Sequence, residues 1–267
     1  MELAIEAMEL AFSDDREVPV RSAVGGVLFM PGRVGPHLGL KSVSTVPGNP
    51  AGIVVLFAPD GSPVGIVDGP TLTAIRTGAA AGLATRLMSP PEARVLALLG
   101  AGAMAADQVA AIRAVRTIER LLIWSRNPDR AREKAKELGG EAVADPRTAV
   151  SQADVISTVT PSASPLFGDS DLVANVHINA MGAFTPAMVE VPSDTVRRSL
   201  VVVDDLEAAA AEAGDLLQAG RVADGTISDL LSGRLSVSGG RPTLFKSVGI
   251  ASQDVAAAAA ALGVLRR

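Results

Sequence analysis

The stretch from Arg94 to Arg126 constrains the fold more than any other part of the chain. A short apolar run at 95–99 leads into a glycine-containing segment, apolar residues then recur at helical spacing, and a second apolar run follows at 121–124. This order predicts a buried strand, a glycine turn, a helix and a second strand. Such a unit is typical of a parallel sheet that carries helices on both faces.

The glycine turn favours a dinucleotide site. A pyrophosphate needs backbone N–H groups that it can approach closely, together with the positive end of a helix dipole. Gly100 would form the tight turn, Gly102 would admit the phosphates, and the small side chain of Ala105 would let the helix lie close to the sheet. The alternative is an ordinary glycine-rich turn between a strand and a helix. The predicted cofactor contacts in this turn are Gly100, Ala101, Gly102, Ala103 and Met104.

The end of the second strand favours NADP(H) over NAD(H). An Asp or Glu at this place would accept hydrogen bonds from the ribose 2′-hydroxyl of NAD(H). The chain instead has Ser125-Arg126-Asn127, with Arg130 one helical turn further on. A guanidinium matches a 2′-phosphate in charge and in the arrangement of its donors, so NADP(H) is the preferred cofactor and NAD(H) the second choice. The alternative is that Arg126 stacks on the adenine ring.

Two missing residue types and one missing residue spacing exclude several kinds of catalytic or metal site. The chain has no cysteine, which excludes disulfides, thiolate nucleophiles and cysteine-ligated zinc. It has no tyrosine, so the Tyr/Lys proton relay of short-chain dehydrogenases is excluded as well. The two histidines, His37 and His177, do not have the spacing of metal ligands, and we expect no metal site.

The charge and hydropathy of the chain favour a cytoplasmic protein with no nucleic-acid or membrane partner. A net charge of −5 and a pI near 5.1 argue against nucleic acid as the main partner. The N-terminus is acidic where a signal peptide would be basic. The longest apolar stretch, 255–265, is far shorter than the roughly 20 residues that span a bilayer.

The hydropathy pattern predicts two domains of different architecture. Strands that alternate with helices indicate a Rossmann-type doubly wound parallel sheet over 89–249, which would bind NAD(P). Residues 1–88 with 250–267 would form a smaller α+β domain, built on an antiparallel or mixed sheet, that binds substrate and dimerises. The predicted helices are 2–12, 71–88, 104–115, 128–138, 146–152, 207–217, 227–231 and 252–265, the last packing back on the smaller domain. The predicted strands are 18–22, 26–30, 39–46, 53–58, 63–68, 95–99, 121–124, 141–144, 154–160, 177–182 and 200–204.

The strand at 154–160 adds to the predicted cofactor site. It is apolar and ends in small polar residues. Ligands of parallel α/β sheets lie at the carboxyl ends of the strands, so Thr160 and Pro161 are candidate cofactor contacts.

Seven short motifs are spread over almost the whole chain. They are Leu40-Lys41, Ala74-Ile-Arg76-Thr77-Gly-Ala-Ala, Gly100-Ala-Gly102, Ile178-Asn-Ala-Met181-Gly182-Ala, Val203-Asp204-Asp205, Glu212-Ala-Gly214-Asp215 and Phe245-Lys246-Ser247-Val-Gly249-Ile-Ala. Together they resemble the ornithine cyclodeaminase and mu-crystallin family.

The resemblance implies a nucleotide domain plus a smaller domain whose strands pair with a second copy, and hence a homodimer. By comparison with the family, we expect the first strand and the helix start of the usual N-terminus to be missing. We also assign Thr77, Met181 and Ser247 to the cofactor site.

The resemblance implies that three cations, Arg21, Lys41 and Arg76, hold a substrate carboxylate. Elementary electrostatics agrees, because a basic side chain in an apolar strand or in an Ala/Gly helix is costly to bury without an anion. For Arg76 the alternative is a structural ion pair with a carboxylate such as Asp68. For Arg21 it is a solvated edge strand.

The segment after Met181-Gly182 departs from the family pattern. Cyclodeaminating members carry an aspartate there as general acid/base, but the register set by Pro186 and Glu190 puts Phe184 at that place. Phenylalanine cannot move a proton, so the cyclisation of ornithine is disfavoured. Reduction of a preformed cyclic imine needs only a hydride, one proton and a carboxylate clamp.

The leading functional prediction is therefore NADPH-dependent reduction of cyclic α-imino acids. The substrates would be Δ1-pyrroline-2-carboxylate, giving L-proline, and Δ1-piperideine-2-carboxylate, giving L-pipecolate. The alternatives are alanine dehydrogenase, ornithine cyclodeaminase, and a non-catalytic NADPH and small-anion binding protein of mu-crystallin type. Lys41 is the first candidate for the proton donor and Asp204 the reserve, although Asp204 could instead cap the next helix.

Overall fold

A computed structural model describes residues 1–46 and 51–265 of the chain, which form two compact units. The first unit comprises Met1–Ala80 together with the chain from Gly249 onward. The second unit comprises Ala81–Val248. No helix in the described part of the chain is long and apolar enough to cross a bilayer.

The first unit is built on an antiparallel sheet. Its strand order is β1-β3-β4-β5-β6, and β2 pairs with the same edge of β3 as β1. The predicted strand at 18–22 is wrong, because residues 18–21 form no ladder and Pro19 has no N–H to donate to one. The strands are β1 (Arg16–Glu17), β2 (Ser22–Val24), β3 (Val27–Val34), β4 (His37–Ser44), β5 (Gly52–Phe57) and β6 (Pro63–Asp68).

Two helices, α1 (Glu2–Ala11) and α10 (Ala251–Ala261), pack against each other, and α10 also packs on β3, β4 and β5. Glycines in the strands make this approach possible. A Cβ on Gly32 would lie 2.9 Å from the Cβ of Ala251, and one on Gly39 would lie 2.8 Å from Val255. The predicted packing of the last helix on the smaller domain is confirmed, although α10 ends at Ala261 rather than 265.

Helix α2 (Gly69–Met88) leaves the first unit and ends in the second. Its first turn is fixed by Asp68, whose carboxylate accepts a hydrogen bond of 2.9 Å from the backbone N–H of Thr71. The helix therefore starts two residues earlier than the predicted Thr71. Ala and Gly make up most of its middle, and the residues from Arg76 to Thr85 are buried.

The second unit is a sheet of eight strands in which every pair is parallel. The strand order is β13-β12-β14-β11-β10-β7-β8-β9. Alternate residues of β7 belong to two different hydrophobic cores, one on each face, which confirms the predicted doubly wound arrangement. The strands are β7 (Val95–Leu99), β8 (Arg120–Trp124), β9 (Glu141–Ala142), β10 (Val155–Thr158), β11 (His177–Ala180), β12 (Leu200–Val203), β13 (Gly225–Thr226) and β14 (Thr243–Lys246).

The helices of the second unit follow the predicted order with two differences. The predicted helix 207–217 is two helices that meet at Ala213. At the start of the second one the chain passes so close to Met188 that a Cβ on Gly214 would lie 2.1 Å from the Met188 carbonyl oxygen. A further helix, α6, was not predicted. The helices are α3 (Ala105–Val115), α4 (Pro128–Leu138), α5 (Pro146–Val150), α6 (Ser193–Arg198), α7 (Leu206–Glu212), α8 (Gly214–Ala219) and α9 (Ile227–Leu231).

The largest omission of the sequence prediction is β14, which lies inside the sheet between β11 and β12. Its four residues are all buried, but the run ends in Lys246 and therefore does not read as an apolar strand. The short edge strand β13 was also missed. Strands predicted to end at Thr160, Gly182 and Asp204 end one or two residues earlier, where the chain turns into loops.

Candidate functional site

A pocket lies at the carboxyl edge of the parallel sheet, where the strand order reverses. The chain goes from β7 outward to β8 and β9, then returns to the other side of β7 as β10. Such a reversal opens a crevice for a ligand. The pocket occupies about 800 Å³ including open solvent, and it is lined by Gly100, Ala101, Gly102, Trp124, Ser125, Arg126, Asn127, Arg130, Val159, Thr160, Pro161, Ser162 and Leu166.

Nine of the predicted cofactor residues therefore line one pocket, formed by the loops after β7, β8 and β10. Sequence reasoning did not identify four others, namely Trp124, Val159, Ser162 and Leu166. They continue the same three loops, so the carboxyl end of each predicted strand was the signal that could have found them.

Different constraints require glycine at the two glycine positions of the first loop, Gly100 and Gly102. Gly100 has a φ of +126°, and a Cβ on it would lie 2.8 Å from the carbonyl oxygen of Val159. The fold itself therefore requires glycine at this position. A Cβ on Gly102 would meet nothing within 4 Å. The packing of the protein does not explain Gly102, and the open space over its backbone is what a closely bound phosphate requires.

The rim of the pocket after β8 carries two exposed arginines. In the described part of the chain, no hydrogen bond or ion pair holds the side chain of Arg126 or Arg130. The neighbouring carboxylate, Asp129, pairs with Arg132. The side-chain oxygen of Asn127 caps α4 by accepting from the backbone N–H groups of Asp129 and Arg130 at 3.0 and 3.3 Å. The rim is therefore cationic.

The other five predicted cofactor residues do not line this pocket. Ala103 is exposed in the turn, and Met104 is the N-terminal cap residue of α3. The backbone N–H of Met181 donates to the Thr158 carbonyl, and the Ser247 hydroxyl donates to Asp204. Thr77 is buried on the part of α2 that belongs to the first unit.

A buried carboxylate ties two loops together beside the pocket. One oxygen of Glu190 accepts from the backbone N–H of Thr160 at 2.6 Å and from its hydroxyl at 2.8 Å. The other accepts from the N–H groups of Gly182 and Ala183 at 2.8 and 3.0 Å. Burial raises the pKa of Glu190, although the charge of Lys246 opposes that effect. Glu190 thus fixes the position of Thr160, which lines the pocket.

Two further buried charged residues, Asp215 and Lys246, lie next to Glu190. Asp215 accepts from the backbone N–H groups of Glu190 and Val191 at 2.7 and 2.9 Å, and it forms an ion pair of 2.9 Å with Lys246. The ammonium of Lys246 also donates to the Ala183 carbonyl. No functional role was predicted for Glu190, Asp215 or Lys246 from the sequence. The sequence feature that could have identified Lys246 and Asp215 is a charged residue next to a buried one, since Phe245 precedes Lys246 and Gly214 precedes Asp215.

The first unit contains a second cluster of buried charges. Lys41 on β4 and Arg76 on α2 both contact Oδ1 of Asp254 on α10, at 3.0 and 3.2 Å. Lys41 also donates to the Thr73 hydroxyl at 2.6 Å, and Arg76 donates to the side-chain oxygen of Gln253 at 2.8 Å. The four side chains of Lys41, Arg76, Gln253 and Asp254 are buried.

The electrostatics of this cluster act mainly on Lys41. Burial lowers its pKa, and the positive charges of Arg76 and Arg21 lower it further, while Asp254 opposes them. Arg21 lies in the segment before β2 and outside the ladders, so the alternative that it sits in an edge strand is wrong. It is close enough to Lys41 for the two charges to repel each other.

The structure decides two of the alternatives that the sequence left open. The alternative of an ion pair between Arg76 and a carboxylate is confirmed, but the carboxylate is Asp254, whereas Asp68 caps α2. The carboxylate that caps α7 is Asp205, not Asp204. Asp204 is buried and accepts from the Ser247 hydroxyl at 2.8 Å and from the backbone N–H groups of Val248 and Asp205. Within residues 1–46 and 51–265, no three His, Asp or Glu side chains form a group that could hold a metal ion.

Comparison with known proteins identifies relatives of this architecture. The profile of the ornithine cyclodeaminase/mu-crystallin family matches residues 8–262. The ketimine reductase mu-crystallin of Mus musculus is 32% identical over 219 residues, which cover 81% of this chain and 70% of the relative. A Δ1-pyrroline-2-carboxylate reductase of Bacillus cereus is 36% identical over 245 residues, covering 82% of this chain and 74% of the relative.

A solved structure also matches both units. It is the Δ1-pyrroline-2-carboxylate reductase of Thermococcus litoralis in complex with NADH and L-proline. The TM-score is 0.89 at 29% sequence identity, and the match covers 98% of this chain and 92% of that one. That reductase binds NADH, and the open space over the backbone of Gly102 in this chain is compatible with a nicotinamide cofactor.

Replacing the two turn glycines by alanine should separate folding from ligand binding. Gly102→Ala should leave the melting temperature unchanged, because its methyl group meets no protein atom, but it should weaken NADPH binding about 10-fold or more by occupying the space over the backbone. Gly100→Ala, the matched control, should lower the melting temperature because of its φ and its contact with Val159. Thermal unfolding and NADPH fluorescence titration measure both effects. Unchanged NADPH affinity in Gly102→Ala would contradict the assignment of the pocket.

Proposed function

The chain belongs to the ornithine cyclodeaminase/mu-crystallin family, and we propose that it reduces cyclic α-imino acids with NADPH. The substrates are Δ1-pyrroline-2-carboxylate, which gives L-proline, and Δ1-piperideine-2-carboxylate, which gives L-pipecolate. The observation that carries this proposal is the buried cation cluster of the first unit. Two cations, Lys41 and Arg76, share one carboxylate oxygen of Asp254.

The charge balance of the cluster favours an anionic ligand. Two buried cations, Lys41 and Arg76, face the single carboxylate of Asp254, and the positive charge of Arg21 also acts on Lys41. Excess charge in a buried site is costly unless a bound ion compensates it. The carboxylate of an α-imino acid supplies that charge, and the two-pronged geometry of a carboxylate suits the guanidinium donors of Arg76 and Arg21.

The imine nitrogen must receive one proton when the imine carbon receives a hydride. The nicotinamide supplies the hydride when it is bound. Lys41 is the proton donor in this proposal, because burial and neighbouring cations lower its pKa and make proton release easier near neutral pH. Asp204, the reserve candidate, already accepts hydrogen bonds at both oxygens and is therefore less suited to carry the proton.

Phe184 is the residue that favours this reaction over the other reactions considered for the family. It lies in the loop after β11 with half of its side chain exposed, and it cannot act as a base. Cyclisation of ornithine and formation of an imine from pyruvate and ammonia both require an amine to lose protons during the reaction. A preformed cyclic imine avoids that requirement.

Parallel assays of NADPH oxidation should identify the substrate class. Δ1-Pyrroline-2-carboxylate and Δ1-piperideine-2-carboxylate should be reduced about 100-fold or more faster than pyruvate plus ammonia, because only the latter needs an active-site base to form the imine. Ornithine should give no proline. Lys41→Met should raise KM and lower kcat by about 100-fold or more, because it removes both a ligand of the carboxylate and the proton donor. Efficient conversion of ornithine, or a faster reaction with pyruvate and ammonia, would overturn the assignment.

The preference for NADPH is supported by the cationic rim of the pocket. Arg126→Ala should weaken NADPH binding about 10-fold to 100-fold, the range of a charge-assisted hydrogen bond, and NADH binding much less. Arg132→Ala on α4, the helix that follows Arg126, is the matched control, because Arg132 is already paired with Asp129. Fluorescence titration with both nucleotides measures the effect. An equal loss for NADPH and NADH would show that Arg126 stacks on adenine or does not contact the 2′-phosphate.

We also propose a homodimer formed through the sheet of the first unit. Many of the residues facing away from α10 on β3, β4, β5 and β6 are apolar and partly exposed, which is unusual for a surface in contact with water alone. Arg33, Ser42 and Asp68 lie on the same face. Ile53 is 45% exposed and Ile66 is 65% exposed. A second copy of the same face would bury these side chains in a self-complementary interface. The apolar residues of this face are Phe29, Pro31, Leu38, Leu40, Ile53, Val55, Phe57 and Ile66.

A charge on that face should disrupt the dimer. Ile66→Glu should sediment as a monomer at micromolar concentration, because association would bury an unpaired carboxylate. Val222→Glu is the control, since Val222 is 77% exposed and belongs to the second unit. Sedimentation velocity measures both variants. A monomeric wild type, or a dimeric Ile66→Glu variant, would contradict the assigned interface.

A further inference from the structure

Asp254 has no role in the reaction derived above, yet it is the carboxylate that contacts both Lys41 and Arg76. It is 1% exposed, and its Oδ1 lies 3.0 Å from the Lys41 ammonium and 3.2 Å from Nε of Arg76. Its other oxygen, Oδ2, is buried and has no hydrogen-bond partner in the described part of the chain. The charge of Asp254 is therefore directed at these two cations.

The ammonium of Lys41 has a fixed direction. One N–H donates to Asp254 and a second donates to the Thr73 hydroxyl at 2.6 Å. The Thr73 hydroxyl is itself held, because it donates to the Gly69 carbonyl at 2.7 Å. The third N–H has no acceptor among residues 1–46 and 51–265. Two fixed acceptors leave the third donor of a tetrahedral ammonium only one direction.

Packing sets the distance between Asp254 and Lys41. Lys41 and Gly39 lie on the same face of β4, which is the face that α10 covers. The side chain of Val255, next to Asp254, occupies the space over Gly39, where a Cβ would lie 2.8 Å from it. The approach of α10 to β4 thus depends on a glycine two residues from Lys41.

We propose that Asp254 is a positioning residue for Lys41: it holds the ammonium charged and directs its third N–H toward the substrate. The inference rests on the proposed function, in which Lys41 contacts an imino acid. The charged groups around Lys41 are Asp254 from α10, Arg76 from α2 and Arg21 from the segment before β2. The two arginines and the buried surroundings favour the neutral amine, so Asp254 is the group that retains the proton.

Replacing Asp254 by asparagine tests this role directly, because it removes the charge and keeps the shape. The chain has four lysines, Lys41, Lys134, Lys136 and Lys246, so the lysine Cε signals of a ¹³C-labelled sample are few. The signal lost in Lys41→Arg belongs to Lys41. Its titration midpoint should fall by about 1 pH unit or more in Asp254→Asn, because removal of a buried counter-charge lowers the pKa of an ammonium. An unchanged or higher midpoint overturns the inference.

Kinetics provide the second readout. For Δ1-pyrroline-2-carboxylate, kcat/KM should decline at alkaline pH. The midpoint of this decline should move to lower pH in Asp254→Asn by the same amount as the NMR midpoint. In a Lys41→Arg background the same substitution should cause no such displacement, because arginine does not titrate in this range. A loss of activity that is equal at every pH, or the same displacement in both backgrounds, would indicate a merely structural role and overturn the inference.

Thr73→Val keeps the test decisive if Asp254→Asn does not fold. The substitution preserves shape and removes the other acceptor of the ammonium, so the Lys41 midpoint should move down from its wild-type value. No displacement would count against the fixed direction of the ammonium.

The NMR titration needs no turnover. If the wild type reduces no imino acid, the proposed function fails whatever the midpoints are, whereas turnover with unmoved midpoints refutes the role of Asp254 alone.

Discussion

The first unit depends on the burial of two cations against one carboxylate. Lys41 and Arg76 come from a strand and a helix that are far from Asp254 in sequence, and the three side chains meet under α10 with almost no exposure to solvent. Burial of a charge pair is rarely the most stable choice for a protein core. Here the charges are also unbalanced, and this imbalance is the basis of the proposal that a ligand supplies the remaining counter-charge.

The second unit uses buried charges for a different purpose. Glu190, Asp215 and Lys246 are almost fully buried, and their acceptors and donors are mostly backbone groups of loops at the carboxyl edge of the sheet. Loops at such an edge have many unpaired N–H groups, and each one costs free energy when it is buried without a partner. One carboxylate that accepts four hydrogen bonds therefore fixes two loops at once. This arrangement gives the pocket a rigid wall without secondary structure.

Glycine allows close approach in both units, but at different places and for different partners. Gly32 and Gly39 admit a helix onto the sheet of the first unit, and Gly249 leaves room for the guanidinium of Arg76, whose Nη2 would lie 2.9 Å from a Cβ. Gly100 is required by the turn itself, whereas Gly102 borders open space. Only Gly102 predicts a ligand, since no neighbouring protein atom requires a glycine at that position.

The sequence by itself determined the fold class, the dinucleotide turn and most of the pocket, because these depend on local periodicity and on glycine at fixed spacing. It also indicated that Lys41 and Arg76 require an anion, since their neighbours in the chain are apolar. It could not show that Asp254 is the shared carboxylate, that Glu190 joins two loops, or that β14 lies inside the sheet. Those relations join residues that are distant in the chain, and only the packing of α10 on β4 and the order of the strands brings them within hydrogen-bonding distance.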